Sequence, residues 1–99
     1  MPAPLAPPPD PDALLDYDGL RLAVDDAIHA SRLKQREVAE RVAALPHREG
    51  GPPSVSSISG AKRETGPGVL ALQLDVLRAL TGARLAGPFF RVADDDAGA

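Results

Sequence analysis

The side chains able to do chemistry in this chain are serines, lysines, arginines and two histidines, and there is no cysteine. A serine hydroxyl needs an adjacent base to become a nucleophile, and the sequence offers neither a nucleophile–base pairing nor a glycine-rich phosphate loop. His29 and His47 stand apart without thiolate partners, so they read as surface residues rather than zinc ligands. An enzyme is not expected, nor a cofactor, nor a metal. What remains is the chemistry of polyanions. Arg32, Lys34 and Arg36 surround Gln35, and Lys62-Arg63 follow a serine run that includes Ser54, Ser56, Ser57 and Ser59. Lys and Arg neutralise phosphates and release their counterions, while amides and hydroxyls bond to phosphates and base edges. Each group also has a plainer reading. Lys62-Arg63 can be a solvated pair, Gln35 a polar residue opening a helix, and the serines a linker between helical hairpins.

The formal net charge of −3 argues at first against a DNA partner, but its distribution reverses the argument. All eleven bases lie between Arg21 and Arg91, accompanied by seven acids, which leaves that stretch at +4. The other seven acids, Asp10, Asp12, Asp16, Asp18 and Asp94 to Asp96, lie outside it with no base among them. Six prolines within Met1 to Pro11 deprive that segment of backbone donors and helical freedom. The expected organisation is a Pro-rich disordered arm over residues 1–12, a folded domain over 13–92 and an acidic tail over 93–99. The opening Met1-Pro2-Ala3-Pro4 has no basic or apolar leader character, and no apolar run approaches the ~18 residues that span a bilayer. The expectation is a cytoplasmic protein with no membrane partner.

Between the tails the hydrophobic period is helical. Leu20, Val24 and Ile28 recur at i, i+4, i+8 and predict a first helix, which an earlier turn near Ala13 to Tyr17 could extend, with Asp10 or Asp12 as its N-cap. A second helix is expected from Gln35 to Leu45, turning Val38, Ala39, Val42 and Leu45 inward and stopping at Pro46. Gly50-Gly51-Pro52-Pro53 is a strong break. The following Ser54 to Ser59, taken alone, reads as a loop, because serine hydroxyls compete for backbone hydrogen bonds. A last helix is predicted over Gly68 to Thr81, with Leu70, Leu74, Leu77 and Leu80 inward and Gly82 at its C-terminal cap. Beyond it, Phe89-Phe90 read as a packing anchor or a dimer contact.

From about Leu20 to Leu80 the chain resembles the XRE, or Cro/C1-repressor, family of helix-turn-helix proteins. Leu33-Lys34-Gln35 and Val38-Ala39 resemble the opening of that family's second helix. Val55-Ser56-Ser57-Ile58-Ser59-Gly60-Ala61-Lys62-Arg63 resembles its third, with Ser59 in place of the usual Glu and Ala61 in place of the usual Gly. The loss of that Gly leaves the helix exit less sharply capped, although Gly60 next door can take the positive φ instead. Ala39 to Val55 is sixteen positions where about ten are usual, so the turn is elongated, as in the EspR-like variant of the family.

The resemblance implies an all-α fold, a small four-to-five-helix helix-turn-helix domain (lambda-repressor-like) with disordered acidic tails. It implies a DNA-binding transcriptional regulator that lays the third helix in the major groove of double-stranded DNA, as a homodimer reading paired half-sites. On that alignment Pro52, Pro53 and Ser57 take base-facing positions, so direct readout falls to Ser54, Ser56 and Ser57. Gln35 matches the phosphate contact at the start of helix two. Lys62 and Arg63, following helix three, hold phosphates, and Lys34 and Arg36 extend the footprint. The alternative is a protein partner, with a helix-turn-helix fold serving as an interaction module and little or no DNA binding.

Overall fold

In a computed structural model, residues 4–8, 16–46 and 51–83 are described, and they form four α-helices with no strand among them. Helix α1 spans Tyr17–Ser31, α2 Gln35–Ala43, α3 Val55–Arg63 and α4 Pro67–Thr81. Their apolar faces meet in one core. Leu20, Val24 and Ile28 of α1, Val38 and Val42 of α2, Ile58 and Ala61 of α3, and Val76, Leu77 and Leu80 of α4 are all buried. None of the helices is long and apolar enough to cross a membrane.

Capping chemistry fixes where each helix starts. For α1 the N-cap is Asp16, not Asp10 or Asp12, and its Oδ1 accepts the Gly19 N–H at 2.7 Å. Gly19 thus sits inside the first turn. At the other end Arg32 takes a left-handed conformation, with φ of 61°, which costs a non-glycine residue roughly 1–2 kcal/mol. Ser31 offsets that cost: its Oγ donates to Ile28 O at 2.7 Å and accepts from Leu33 N at 3.2 Å, which sets the direction of the chain into α2. Helix α2 ends at Ala43, two residues earlier than expected, and Leu45 beyond it is half-buried. Pro67 occupies the first turn of α4, where a missing N–H is harmless, and Gly82 closes that helix with φ of 75°.

The serine segment is helical, as the resemblance implied and contrary to its reading taken alone as a loop. Ser54 is the N-cap of α3, its Oγ accepting from Ser57 N at 3.0 Å, while Ile58 and Ala61 reach the core one turn on. A cap and two buried apolar contacts outweigh the weak propensity of serine. The helix runs on through Gly60, so Gly60 does not supply a left-handed exit. Lys62 and Arg63 consequently belong to the last turn of α3 instead of following it. Cations there interact favourably with the negative end of the helix dipole.

The buried stripe of α4 is also rotated from the expected one. Gln73, Val76, Leu77, Leu80 and Thr81 are buried, while Leu70 and Leu74 lie half-buried at its edges. Part of the arm expected to be disordered is docked: Leu5 N and Ala6 N both donate to Leu80 O, at 2.8 and 3.0 Å, and Ala6 is only 4% exposed. The carbonyl of Leu80 lies in the last turn of α4, where no intrahelical donor follows, and this explains the strap's attachment point. His47, Asp10, Asp12, Phe89, Phe90 and Asp94 to Asp96 lie outside the described residues.

Candidate nucleic-acid interface

Helix α3 is held from behind by its two neighbours. Four carbonyls at the end of an α-helix lack intrahelical donors. Here Gly60 O accepts the Glu64 N–H, and Ala61 O accepts from Gln73 Nε2 of α4 at 3.0 Å. Lys62 O accepts from Arg21 Nη1 of α1 at 3.5 Å, a long bond. The same Gln73 Nε2 also donates to Glu64 O at 2.9 Å. Gln73 is fully buried, and its Oε1 has no hydrogen-bond partner. Flipping the amide would turn Oε1 toward the two carbonyls, so the observed orientation is the one that serves both acceptors. Arg21 is itself oriented by Asp18, at 3.2 Å.

Against this fixed helix, six of the eight polar residues singled out in the sequence divide into two patches, Lys34, Gln35 and Lys62 in one and Ser54, Ser56 and Ser57 in the other. The first is an open groove where the α1–α2 turn meets the end of α3, lined by His29, Arg32, Lys34, Gln35 and Lys62 with Ile28 and Leu33 as its apolar wall. Lys34 is the N-cap of α2; its N–H donates to Glu37 Oε1 at 2.9 Å, while its own ammonium, a pure donor, cannot cap the helix. The next amides of α2 have no intrahelical acceptor, and they lie at the same end of the helix as Lys34 and Gln35. Cationic side chains from α1's exit, α2's entry and α3's end therefore converge. Lys62 Nζ, however, lies 3.8 Å from Asp25 Oδ1 of α1, with the two side chains 29% and 47% exposed.

The second patch is a groove between α3 and the start of α4, lined by Ser54, Ser56, Ser57, Gly60 and Glu64 on one side and Gly68, Val69 and Leu72 on the other. Ser54 and Ser57 are engaged with each other, Oγ to Oγ at 2.9 Å, in addition to the capping bond. A hydroxyl can still offer a further lone pair, so both retain some capacity for an external ligand. Ser56 is exposed. Arg36 and Arg63 are exposed and line neither groove; Arg63 Nε donates back to Ser59 O at 3.3 Å. Pro52 is exposed and Pro53 half-buried just ahead of α3.

Three residues that shape this region, Gln73, Arg21 and Asp25, were not among the expected site residues. Gln73 was detectable, because a lone amide between Leu70 and Leu77 on a leucine-rich helix must find donors or acceptors once buried. Arg21 and Asp25 carried no such signal: charged residues one turn apart on α1 read as a solvated face. Among the described residues no three His, Asp or Glu side chains come together in a way that could hold a metal ion. No protein-family model, curated protein or solved structure matches the chain.

Proposed function

We propose that the chain binds double-stranded DNA as a helix-turn-helix transcriptional regulator, with α2 and α3 as the two helices of the motif. The observation that carries this reading is the convergence of Lys34, Gln35 and Lys62, with Arg32 and His29, on one open groove beside α3. Three independent segments bringing cationic and amide donors to one concavity is the arrangement a phosphate backbone requires. Anchored there, the protein lays α3 along the major groove, with Ser54, Ser56 and Ser57 nearest the base edges. Hydroxyls donate and accept equally well and so discriminate bases weakly, which makes affinity dominated by phosphate contacts and sequence preference modest. A homodimer would present two such faces to half-sites one helical turn apart, roughly 34–36 Å.

Fluorescence anisotropy of a labelled duplex, titrated with protein over a range of salt, tests the reading. Saturable binding whose affinity falls steeply with salt supports it, and no binding at low salt removes it. A protein-docking role has its own supporting observation. Val55 at the start of α3 is 48% exposed, and Glu64 places a carboxylate in the serine groove. An exposed apolar side chain beside an acid suits a protein surface better than a phosphodiester. Under that reading the duplex titration stays flat.

A further inference from the structure

The pair between Lys62 and Asp25 adds little to the fold, since solvent screening and side-chain entropy cancel most of the attraction in a partly exposed ion pair. Its placement is more informative than its strength. Lys62 is gripped by α1 at both ends: Arg21 Nη1 donates to its carbonyl, and Asp25, one turn further along the same helix, faces its ammonium at 3.8 Å. Yet the same side chain lines the cationic groove with His29, Arg32 and Lys34. Lys62 thus stands between an internal carboxylate and the space an external anion would occupy.

We infer that Asp25 is an internal stand-in for phosphate, a positioning residue that neutralises Lys62 in the free protein and surrenders it when a polyanion enters the groove. This rests on the DNA-binding reading and specifies how the affinity of that site is set. Until an anion arrives, Asp25 relieves repulsion among the cations that share the groove. On binding, Lys62 exchanges one anionic partner for another: the phosphate releases its condensed cation while the abandoned Asp25 carboxylate takes one up, so the net release is small. Asp25 then remains near the incoming phosphate, and two unit charges about 7 Å apart in water repel by an amount equivalent to about a threefold change in affinity.

The inference predicts a particular pattern among variants titrated against a random-sequence duplex at about 0.05 M and about 0.2 M salt, where phosphate contacts are most visible. Asp25→Asn should bind about threefold tighter at the lower salt, and its salt slope should steepen by up to about one unit, because no abandoned carboxylate then takes up a cation to offset the one that the phosphate releases. Asp25→Glu, which keeps the carboxylate, should behave as the parent does. In a Lys62→Gln background, Asp25→Asn should lose most of its effect. That coupling separates the exchange from a general change in net charge, which would act alike in both backgrounds. Thermal melts establish that each variant is folded, and Asp25→Ser serves if the asparagine form is not. If Asp25→Asn binds no tighter than the parent, or gains equally with and without Lys62, the stand-in role is overturned while the DNA reading survives. If neither parent nor variant binds duplex at either salt, both fall together.

Discussion

Replacing Gln73 by leucine removes the side chain whose hydrogen bonds tie the end of α3 to the middle of α4. The change is close to isosteric, so no cavity opens, and the cost arises from hydrogen bonding alone. Two carbonyls lose their donor: Ala61 O, in a buried setting, and Glu64 O, in a partly buried one. Leaving a buried acceptor unpaired costs about 1–3 kcal/mol, and a partly buried one nearer the bottom of that range. Against this, leucine eliminates the unpartnered Oε1, recovering a similar quantity. Two acceptors stranded and one relieved leaves a net loss of about 1–2 kcal/mol. For a domain of this size that lowers the melting temperature by about 5–15 °C. Differential scanning calorimetry or thermal circular dichroism reads it directly. Gln73→Glu sharpens the test, since an ionised carboxylate can only accept and would face two carbonyls. Burial raises the folded pKa of such a glutamate above its unfolded value of about 4.3. The variant should therefore hold its stability below that pH and lose it as pH rises through the folded value. A leucine variant as stable as the parent, or more so, would refute the claim that Gln73 positions α3.

Ser54→Ala removes the α3 cap, and a loss of about 1 kcal/mol is expected in chemical denaturation; an unchanged midpoint would mean that the helix start is held by Ile58 and Ala61 alone. Lys62 and Arg63 replaced together by alanine should weaken duplex binding to all sequences alike and lower the salt slope by no more than about one unit, since in the parent the Lys62 contact yields little net counterion release. Equal affinity for parent and double variant at moderate salt would move the interface elsewhere. Deleting residues 1–8 removes no charged side chain, so it separates packing from electrostatics. The loss of two bonds to Leu80 O, offset by the entropy of a released segment, should cost about 1 kcal/mol and leave the salt slope unchanged. Identical melting of the two forms would show that the strap adds nothing to the fold.

The helical core was legible because its signal is periodic. Leu20, Val24 and Ile28, and Val38 with Val42, recur at helical spacing and are buried as that spacing requires. Two features carry no periodic signal of their own, because they depend on partners distant in sequence; the first was reached only through the resemblance. The helicity of Val55–Arg63 rests on a local cap plus burial against the other helices, which a composition rich in serine hides. The strap is invisible to any periodic measure, because its contacts are backbone donors from Leu5 and Ala6 reaching a carbonyl seventy-odd positions away. Within the candidate site, residue types were readable and their grouping was not. Lys34, Gln35 and Lys62 share a groove, the serines border a different one, and Arg36 and Arg63 line neither. Helical phase decided that division, and the phase of α3 was fixed only once its start at Ser54 was known.

Because Leu5 and Ala6 are pinned to Leu80, the beginning and the end of the described chain emerge side by side, with Ala83 only three residues past the attachment point. The connectivity of the domain is in effect a nearly closed ring. A circular permutant that joins Ala83 to Pro4 through a short glycine linker, and opens the chain between α2 and α3, would keep every helix and the shared core intact. It would also release α3 from its covalent tether to α2. Folding of that permutant would show that the orientation of α3 is imposed by Gln73 and Arg21 from its far end and not by the connection that precedes it. The same adjacency means that a fusion partner placed at either end of residues 4–83 projects from one and the same corner of the domain.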